Sequence, residues 1–281
     1  MSYGFRFEDV CKVRRPERIK TEYGQRLDII NEPEFSLSAH CFRAGGGSFP
    51  CIYYKGGNVL FVEKGKLISR FASTLRNQET YSKLLLEQGD VLELPKLHNN
   101  GLFAEVDSFV YQFAEKLEQG HVSDKCVNAD IIDTTTQLFA CATEGDNKGV
   151  NARKTFDARE KYWGSIETIV SNESFAGKRI VVRPRQDAEG RFLAGSLEYH
   201  LKKKEAYFLQ SGKLKVGLRV GRAENRSVVL NPGDVFVINP GVMHTRIPLE
   251  ESVIIEISTP DDDRDSHLVE DGEKGYLHRE Q

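Results

Sequence analysis

The chain has 281 residues, of which 39% are hydrophobic and 29% are charged. This composition is typical of a globular protein, and the length allows one large domain or two smaller ones. The formal net charge of −3 argues against a dedicated nucleic-acid or membrane-surface protein, and no apolar run approaches the roughly 20 residues of a membrane helix. We therefore expect neither a nucleic-acid partner nor a membrane partner.

The N-terminus and the cysteines indicate a cytoplasmic protein. The first 30 residues mix basic and acidic groups and contain no apolar signal-peptide core. Five cysteines, an odd number without a CxxC spacing, are expected to be reduced thiols. They are Cys11, Cys41, Cys51, Cys126 and Cys141.

Strand signals run along the whole chain, whereas long helical periodicity is scarce. Short runs rich in β-branched and aromatic residues are bounded by Gly, Pro, Asn and Asp, which predicts an all-β sandwich or barrel. In chain order the runs are NVLFVEKG (58–65), DVLELP (90–95), SFVYQFAEKL (108–117), KRIVVRP (178–184), SVVLNPGDVFVINP (227–240) and ESVIIEIST (251–259).

The two halves of the chain resemble each other locally. When Asn58 is aligned with Glu205, six residues separate each from a glycine that begins the letters GKL, Gly65 in one half and Gly212 in the other. A repeat of this length predicts two similar domains rather than a solenoid. Two further segments match, QGDVLELPKLH (88–98) and PGDVFVINPGVMH (232–244).

This duplication predicts five regions. They are an N-terminal extension (1–26), a first barrel (27–115), a connecting segment (116–159), a second barrel (160–260) and a C-terminal tail (261–281).

The second half resembles the cupin superfamily. The first cupin motif combines a glycine, a His-x-His pair, a glutamate and a second glycine, and here it matches Gly195, His200, Glu205 and Gly212. The resemblance implies two jelly-roll (double-stranded β-helix) barrels in one chain, of which the first is degenerate. The second motif matches Gly233, Asp234, Pro240, Gly241 and His244.

A closer resemblance, over about residues 160–272, is to the cupin domain of type II mannose-6-phosphate isomerases. It is carried by YWGSIETIVSNESFAGKRIVVRP (162–184), SLEYH (196–200) and the acidic tail DDDRDSHLVEDG (261–272). This resemblance implies an isomerase of a sugar or sugar phosphate.

Histidines and carboxylates in the second half predict a metal site. Side chains two apart in a strand share a face, so Glu198, His200 and Lys202 are expected to project together into the barrel. Glu205 opens the next strand, and His244 follows a third one. Imidazoles and carboxylates that converge in this way bind one divalent ion such as Zn, Mn, Fe or Ni, and we expect no other cofactor.

Lys202 stands where the second histidine of the His-x-His pair is expected, and an ammonium does not bind a metal. Either Glu198 supplies the missing ligand, or the site has lost its metal and Lys202 occupies the gap. Lys202 is our candidate catalytic residue, as a base or as a phosphate anchor. Lys203 and Lys204 are expected to be solvated turn residues.

The first barrel keeps only His98 as a ligand-type residue at the motif positions. Tyr53, Lys55 and Asn58, which align with the ligand positions, cannot rebuild a metal site. We therefore expect a structural or interface role for this barrel.

Three functions fit the sequence. The first is a metal-dependent cupin isomerase that interconverts an aldose and a ketose of a small-molecule sugar or sugar phosphate. The alternative is a non-catalytic bicupin that binds a sugar or a small anion, and the third is a cupin dioxygenase. Because exposed edge strands favour pairing, we expect a homodimer.

Overall fold

A computed structural model describes residues 12–48, 57–75, 78–94, 100–115, 150–222 and 224–272. The described residues form β-strands together with one short 3-10 helix, Asp263–Asp265, which confirms the prediction of an all-β protein. Within the described residues, no helix has the length and apolar character needed to cross a lipid bilayer.

The chain divides into two compact units, Glu17–Thr155 and a second unit formed by Met1–Pro16 with Phe156–Gln281. The predicted barrels at 27–115 and 160–260 lie within these two units. The first strand of the described residues, β1 (Val13–Arg14), belongs to the second unit.

The first unit contains a seven-stranded and a four-stranded sheet, both antiparallel. Its strands are β2 (Glu17–Thr21), β3 (Gly24–Asn31), β4 (Ser36–Phe42), β5 (Gly47–Ser48), β6 (Asn58–Lys64), β7 (Lys66–Leu75), β8 (Gln78–Glu87), β9 (Asp90–Leu94), β10 (Asn100–Ala104), β11 (Ser108–Ala114) and β12 (Asn151–Lys154). The large sheet has the order β12-β9-β6-β11-β4-β3-β2, and the small sheet has the order β5-β10-β7-β8.

The second unit repeats this plan with a seven-stranded and a five-stranded sheet. Its further strands are β13 (Phe156–Lys161), β14 (Gly164–Ser171), β15 (Ala176–Val182), β16 (Leu197–Tyr199), β17 (Glu205–Ser211), β18 (Leu214–Val220), β19 (Arg226–Leu230), β20 (Val235–Ile238), β21 (Val242–Pro248), β22 (Ser252–Ser258) and β23 (His267–Glu270). The large sheet has the order β1-β20-β17-β22-β15-β14-β13, and the small sheet has the order β19-β18-β21-β16-β23.

One edge of each large sheet is a short strand whose residues lie outside the predicted barrel range. In the second unit, β1 pairs with β20, with Val13 opposite Phe236, and Arg15 next to it donates to Asp234 at 3.1 Å. In the first unit, β12 pairs with β9, with Ala152 opposite Leu92. Both added strands cover a sheet edge that would otherwise expose unpaired backbone groups.

The duplication inferred from the sequence is visible in equivalent turns. Gly65 and Gly212 both adopt a positive φ, +100° and +84°, which favours glycine. A Cβ atom on Gly65 would lie 2.7 Å from the Cα of Ser108, and one on Gly212 would lie 2.6 Å from the Cα of Ser252. The same close packing thus ends β6 and β17, and no residue with a side chain fits either position.

The interior of the second barrel is apolar along most of its length and polar at one end of its strands. Tyr207 and Leu209 of β17 belong to a buried cluster that also contains Phe236 and Ile254. Because alternate residues of a strand share a face, Glu205 at the start of β17 points into the same interior. The strand pattern therefore directs a carboxylate into the barrel.

Candidate metal centre

The structure brings together the four side chains predicted as metal ligands. Glu198 lies in β16, directly opposite His244 of β21, and His200 follows the end of β16. Glu205 opens β17 on the barrel interior. The side chains of His244, Glu205 and His200 are 1%, 2% and 8% exposed, whereas that of Glu198 is 20% exposed, so the site opens on the side of Glu198.

Nitrogen and oxygen atoms converge within this cluster. The donor atoms of Glu198, His200 and His244 all lie within 4.8 Å of one another. The carboxylate of Glu205 joins them, with Oε1 2.8 Å from Nε2 of His244 and Oε2 3.9 Å from Nε2 of His200. Two imidazoles and two carboxylates form a mixed donor set that suits a divalent metal ion.

Both imidazole rings are oriented through their Nδ1 atoms. His200 Nδ1 lies 3.0 Å from the carbonyl oxygen of Asp265, and His244 Nδ1 lies 3.1 Å from that of Val242. Since a carbonyl oxygen only accepts hydrogen bonds, each Nδ1 must carry the proton. In the neutral rings, each Nε2 therefore presents a lone pair to the cluster, which is the tautomer that metal ligation requires.

His244 Nε2 is a buried atom that lacks a hydrogen-bond partner among the described residues. It lies 2.8 Å from Glu205 Oε1, so the two groups form a close pair. Burial disfavours protonation of His244, yet the adjacent Glu205 carboxylate outweighs burial and raises the pKa of the imidazole. A buried imidazole against a carboxylate favours a cation at this place, which is either a proton on Nε2 or a metal ion bound by both groups, so these residues fit a metal ion.

Lys203 lies beside the cluster and holds Glu205 in its ionised form. Its Nζ lies 3.1 Å from Glu205 Oε2, 3.0 Å from Glu256 Oε1 and 3.1 Å from Asp261 Oδ1, and Lys178 also pairs with Asp261. Burial opposes the charges, but the three carboxylates raise the pKa of Lys203 well above its usual value. The prediction that Lys203 is solvated is wrong, because its side chain is only 6% exposed.

Both oxygens of Glu205 are held by neighbouring side chains. Tyr207 donates its hydroxyl hydrogen to Oε1 at 2.9 Å, while Lys203 lies against Oε2. Burial works against ionisation of Glu205, but Lys203 and then His244 lower its pKa well below the usual range. Glu205 therefore remains a carboxylate with a fixed orientation.

Lys202 does not lie beside the predicted ligands as the strand alternation implied. β16 ends at Tyr199, and the main-chain N–H groups of residues 201, 202 and 203 donate instead to the carboxylate of Asp265. The shared face expected for Glu198, His200 and Lys202 is therefore wrong at Lys202, whose side chain is exposed. Its catalytic role stays a prediction.

Arg246 is a site residue that the motif search missed. It follows His244 by two positions in β21, so strand alternation alone could have placed it on the same face. Its Nη2 donates to Glu198 Oε1 at 2.8 Å, and its guanidinium carbon lies 5.4 Å from the ring centre of Trp163 and 5.7 Å from that of Tyr207. Trp163, which also packs on the core, thus forms part of the site wall.

The first barrel has a neutral hydrogen-bonded network that includes Asn58, the residue aligned with Glu205. The hydroxyl of Tyr23 lies 2.8 Å from His40 Nδ1, His40 Nε2 lies 2.8 Å from Gln112 Oε1, and Gln112 donates to Asn58 at 3.0 Å. In the described part of this barrel no group of His, Cys, Asp and Glu comparable to the second-barrel cluster occurs. Tyr53, Lys55 and His98 lie outside the described residues.

Comparison with known proteins relates the chain to others by structure alone. No protein-family model matches the sequence. No curated protein matches it either.

Solved structures of oxalate decarboxylase from Bacillus subtilis are similar over most of the chain. One variant has a TM-score of 0.66 and 13% identity, with 89% of this chain and 77% of that chain covered. Another structure, from a study of the Mn(II) centres of that enzyme, has a TM-score of 0.66 and 11% identity, with 92% and 79% covered. At such identities the similarity concerns the fold, and the chain has the fold of a bicupin, with two cupin barrels.

Proposed function

We propose that this protein is a metal-dependent cupin enzyme whose second barrel binds one divalent metal ion through His200, His244, Glu205 and Glu198. One observation supports this most directly: the donor atoms of Glu198, His200 and His244 all lie within 4.8 Å of one another, and Glu205 Oε1 lies 2.8 Å from His244 Nε2. The Mn(II) centres of the structurally similar oxalate decarboxylase make Mn(II) the first metal to load, and Zn, Fe and Ni the next.

The charges linked to the site also favour a cation. The side-chain ion pairs around it join four carboxylates to three cationic side chains, which leaves one negative charge in excess when His200 and His244 are neutral. A buried excess charge is costly unless it is paired, and a divalent ion pairs it. The carboxylates are Glu198, Glu205, Glu256 and Asp261, and the cations are Lys178, Lys203 and Arg246.

The reaction we propose is aldose–ketose isomerisation of a sugar-type substrate. The segments that resemble type II mannose-6-phosphate isomerases supply Trp163 and Glu198, both of which contact Arg246 at the open side of the cluster. A bound metal ion would polarise a carbonyl and the neighbouring hydroxyl of the substrate. The chain holds the ligand set rigid through Lys203 and Tyr207, which fix Glu205.

Metal analysis and an isotope assay test this proposal. The purified protein is stripped with a chelator, reloaded separately with each candidate metal and analysed for bound metal. Candidate aldoses, ketoses and their phosphates are then incubated with it in D₂O. We expect about one metal ion per chain and solvent deuterium on the carbon next to the carbonyl of the true substrate.

Each alternative gives a different result. Failure to retain any of the candidate metals would refute the enzyme proposal and favour the non-catalytic binding module. Stoichiometric metal with oxygen consumption in the Fe(II) form would indicate a dioxygenase. Carbon dioxide released from oxalate by the Mn(II) form would point to the reaction of the structural neighbours.

Assembly and location stay predictions. We expect a homodimer in the cytoplasm, and light scattering at micromolar concentration tests the dimer, because a monomer mass would refute it.

A further inference from the structure

We infer that Asp265 positions two parts of the metal centre, and that binding of the metal ion is thereby coupled to docking of the C-terminal segment, residues 261–272. This inference rests on the proposed function, because the coupling requires a metal ion in the centre. Asp265 is a positioning residue, since it would act on the ion only through His200 and the turn that follows it.

The carboxylate of Asp265 shapes the turn between β16 and β17. Its oxygens accept hydrogen bonds from the main-chain N–H groups of Leu201, Lys202 and Lys203, each at 2.9 Å. Three successive N–H groups that converge on an anion form a nest, and hydrogen bonds to an ionised acceptor are stronger than neutral ones. The turn held in this way places the Nζ of Lys203 3.1 Å from Glu205 Oε2.

The main chain of Asp265 orients a proposed metal ligand directly. Its carbonyl oxygen accepts a hydrogen bond from His200 Nδ1 at 3.0 Å, which leaves Nε2 for the metal. One buried residue therefore fixes both the ring of His200 and the turn that follows it. His244 is held differently, because its Nδ1 donates to the carbonyl oxygen of Val242 in its own strand.

Other residues of the C-terminal segment support the two carboxylate ligands. β23 pairs with β16, with Leu268 opposite Glu198. Asp261 Oδ1 lies 3.1 Å from the Nζ of Lys203, which in turn pairs with Glu205. The segment thus contacts three of the four proposed ligands, either directly or through Lys203.

Thermodynamic linkage makes this coupling reciprocal. If the docked segment raises the affinity for the metal by some factor, the bound metal must favour docking by the same factor. β23 is one edge of the small sheet, and β19 is the opposite edge. The second edge strand therefore serves as an internal reference for the first.

The first measurement is the Mn(II) affinity of Asp265→Asn, by titration of the chelator-stripped protein. The amide keeps one acceptor oxygen and replaces the other by a donor, so it cannot accept from all three N–H groups in the same way. We expect the dissociation constant to rise about 10- to 100-fold, as for loss of a partner that supports a metal ligand. The Mn(II) EPR spectrum should also change, since it reports on ligand geometry.

The matched control is Asp263→Asn. It makes the same substitution at an exposed position of the same 3-10 helix. Both its Mn(II) affinity and its EPR spectrum should equal those of the wild-type protein.

The second measurement is hydrogen exchange of the wild-type protein with and without Mn(II), followed by mass spectrometry. Bound Mn(II) should slow exchange in the turn at 201–203 and in β23, because these N–H groups open when the segment leaves its docked position. Exchange in β19 should change less.

Two results would overturn the inference while the metal centre stands. One is wild-type Mn(II) affinity in folded Asp265→Asn. The other is exchange in β23 that Mn(II) slows no more than exchange in β19, and this result decides if Asp265→Asn does not fold. Failure of the wild-type protein to bind Mn(II) or another of the candidate metals would instead refute the proposed function, and the coupling with it.

Discussion

The two barrels of this chain differ in the charge of polar groups that occupy the same strand positions. Glu205 opens β17, whereas Asn58 opens β6. The fifth residue of β22 is Glu256, and that of β11 is Gln112. The third residue of β15 is Lys178, and the equivalent residue of β4 is Ser38. At these three positions the first barrel thus has two amides and a hydroxyl where the second barrel has two carboxylates and an ammonium.

This exchange shows how the described part of the first barrel keeps a polar interior without carboxylates at these positions. In the first barrel, Tyr23, His40, Gln112 and Asn58 hydrogen-bond to one another without any ionised member, so the network needs no cation. In the second barrel the carboxylates pair with lysines, and on our proposal also with a metal. The charge at these positions, rather than the fold, distinguishes the two barrels.

Removal of the Lys203 ammonium should have the largest effect on stability. Lys203→Met leaves Glu205, Glu256 and Asp261 without their shared cation, and an uncompensated buried charge costs about 3 to 5 kcal/mol. Denaturant unfolding followed by the fluorescence of Trp163, the single tryptophan of the chain, reports on this barrel. Lys204→Met, which changes the next lysine along the chain, is the control.

An amide at position 256, as in the first barrel, should restore part of the stability that Lys203→Met loses. Glu256→Gln introduces the amide found at Gln112, so the variant Lys203→Met/Glu256→Gln should be more stable than Lys203→Met alone. If the second substitution lowers stability further, the charge comparison between the barrels does not explain the Lys203 requirement.

Removal of one proposed ligand should weaken metal binding in a protein that still folds. His244→Ala should raise the metal dissociation constant by more than the roughly 10- to 100-fold that loss of a supporting partner causes, because the centre has few ligands. Metal analysis after dialysis measures this. The control is His267→Ala, a half-exposed histidine that stacks on Tyr199. Metal content that is equal in the two variants would remove His244 from the centre.

Acid should destabilise the first barrel through His40. Burial lowers the pKa of His40 to about 4, although its hydrogen bond to Gln112 works in the opposite direction. The unfolded chain takes up a proton near pH 6.5 and the folded chain near pH 4, so stability falls as the pH drops between these values. The loss from pH 7 to pH 5 is about 2 kcal/mol.

His40→Gln tests this origin of the acid sensitivity. The amide keeps hydrogen-bonding capacity and does not titrate, so unfolding followed by circular dichroism should show a smaller difference between pH 7 and pH 5 than in the wild type. An equal difference would assign the acid sensitivity to other groups.

The sequence predicts the strands, the duplication and the four converging side chains, because these depend on local pattern. Alternation within β21 also holds at Arg246, which the motif comparison overlooked. The turn after β16 could not be predicted, since three successive lysines give no indication of which one turns inward. Its conformation depends on Asp265, more than sixty positions away, which binds the main chain at residues 201–203.

The smallest effect on stability is expected at Lys202. Its side chain is exposed, whereas that of the adjacent Lys203 is buried. Lys202→Met should leave metal content unchanged and shift stability by no more than about 0.5 kcal/mol, as is usual for an exposed side chain. Turnover then decides its predicted role: a base would lose on the order of 100-fold in kcat, and a phosphate anchor would mainly raise KM. Lys202→His should not tighten metal binding, because residue 202 lies in the turn held by Asp265. Tighter binding in that variant would show that position 202 reaches the centre, and the inward and outward assignment of the two lysines would have to be reversed.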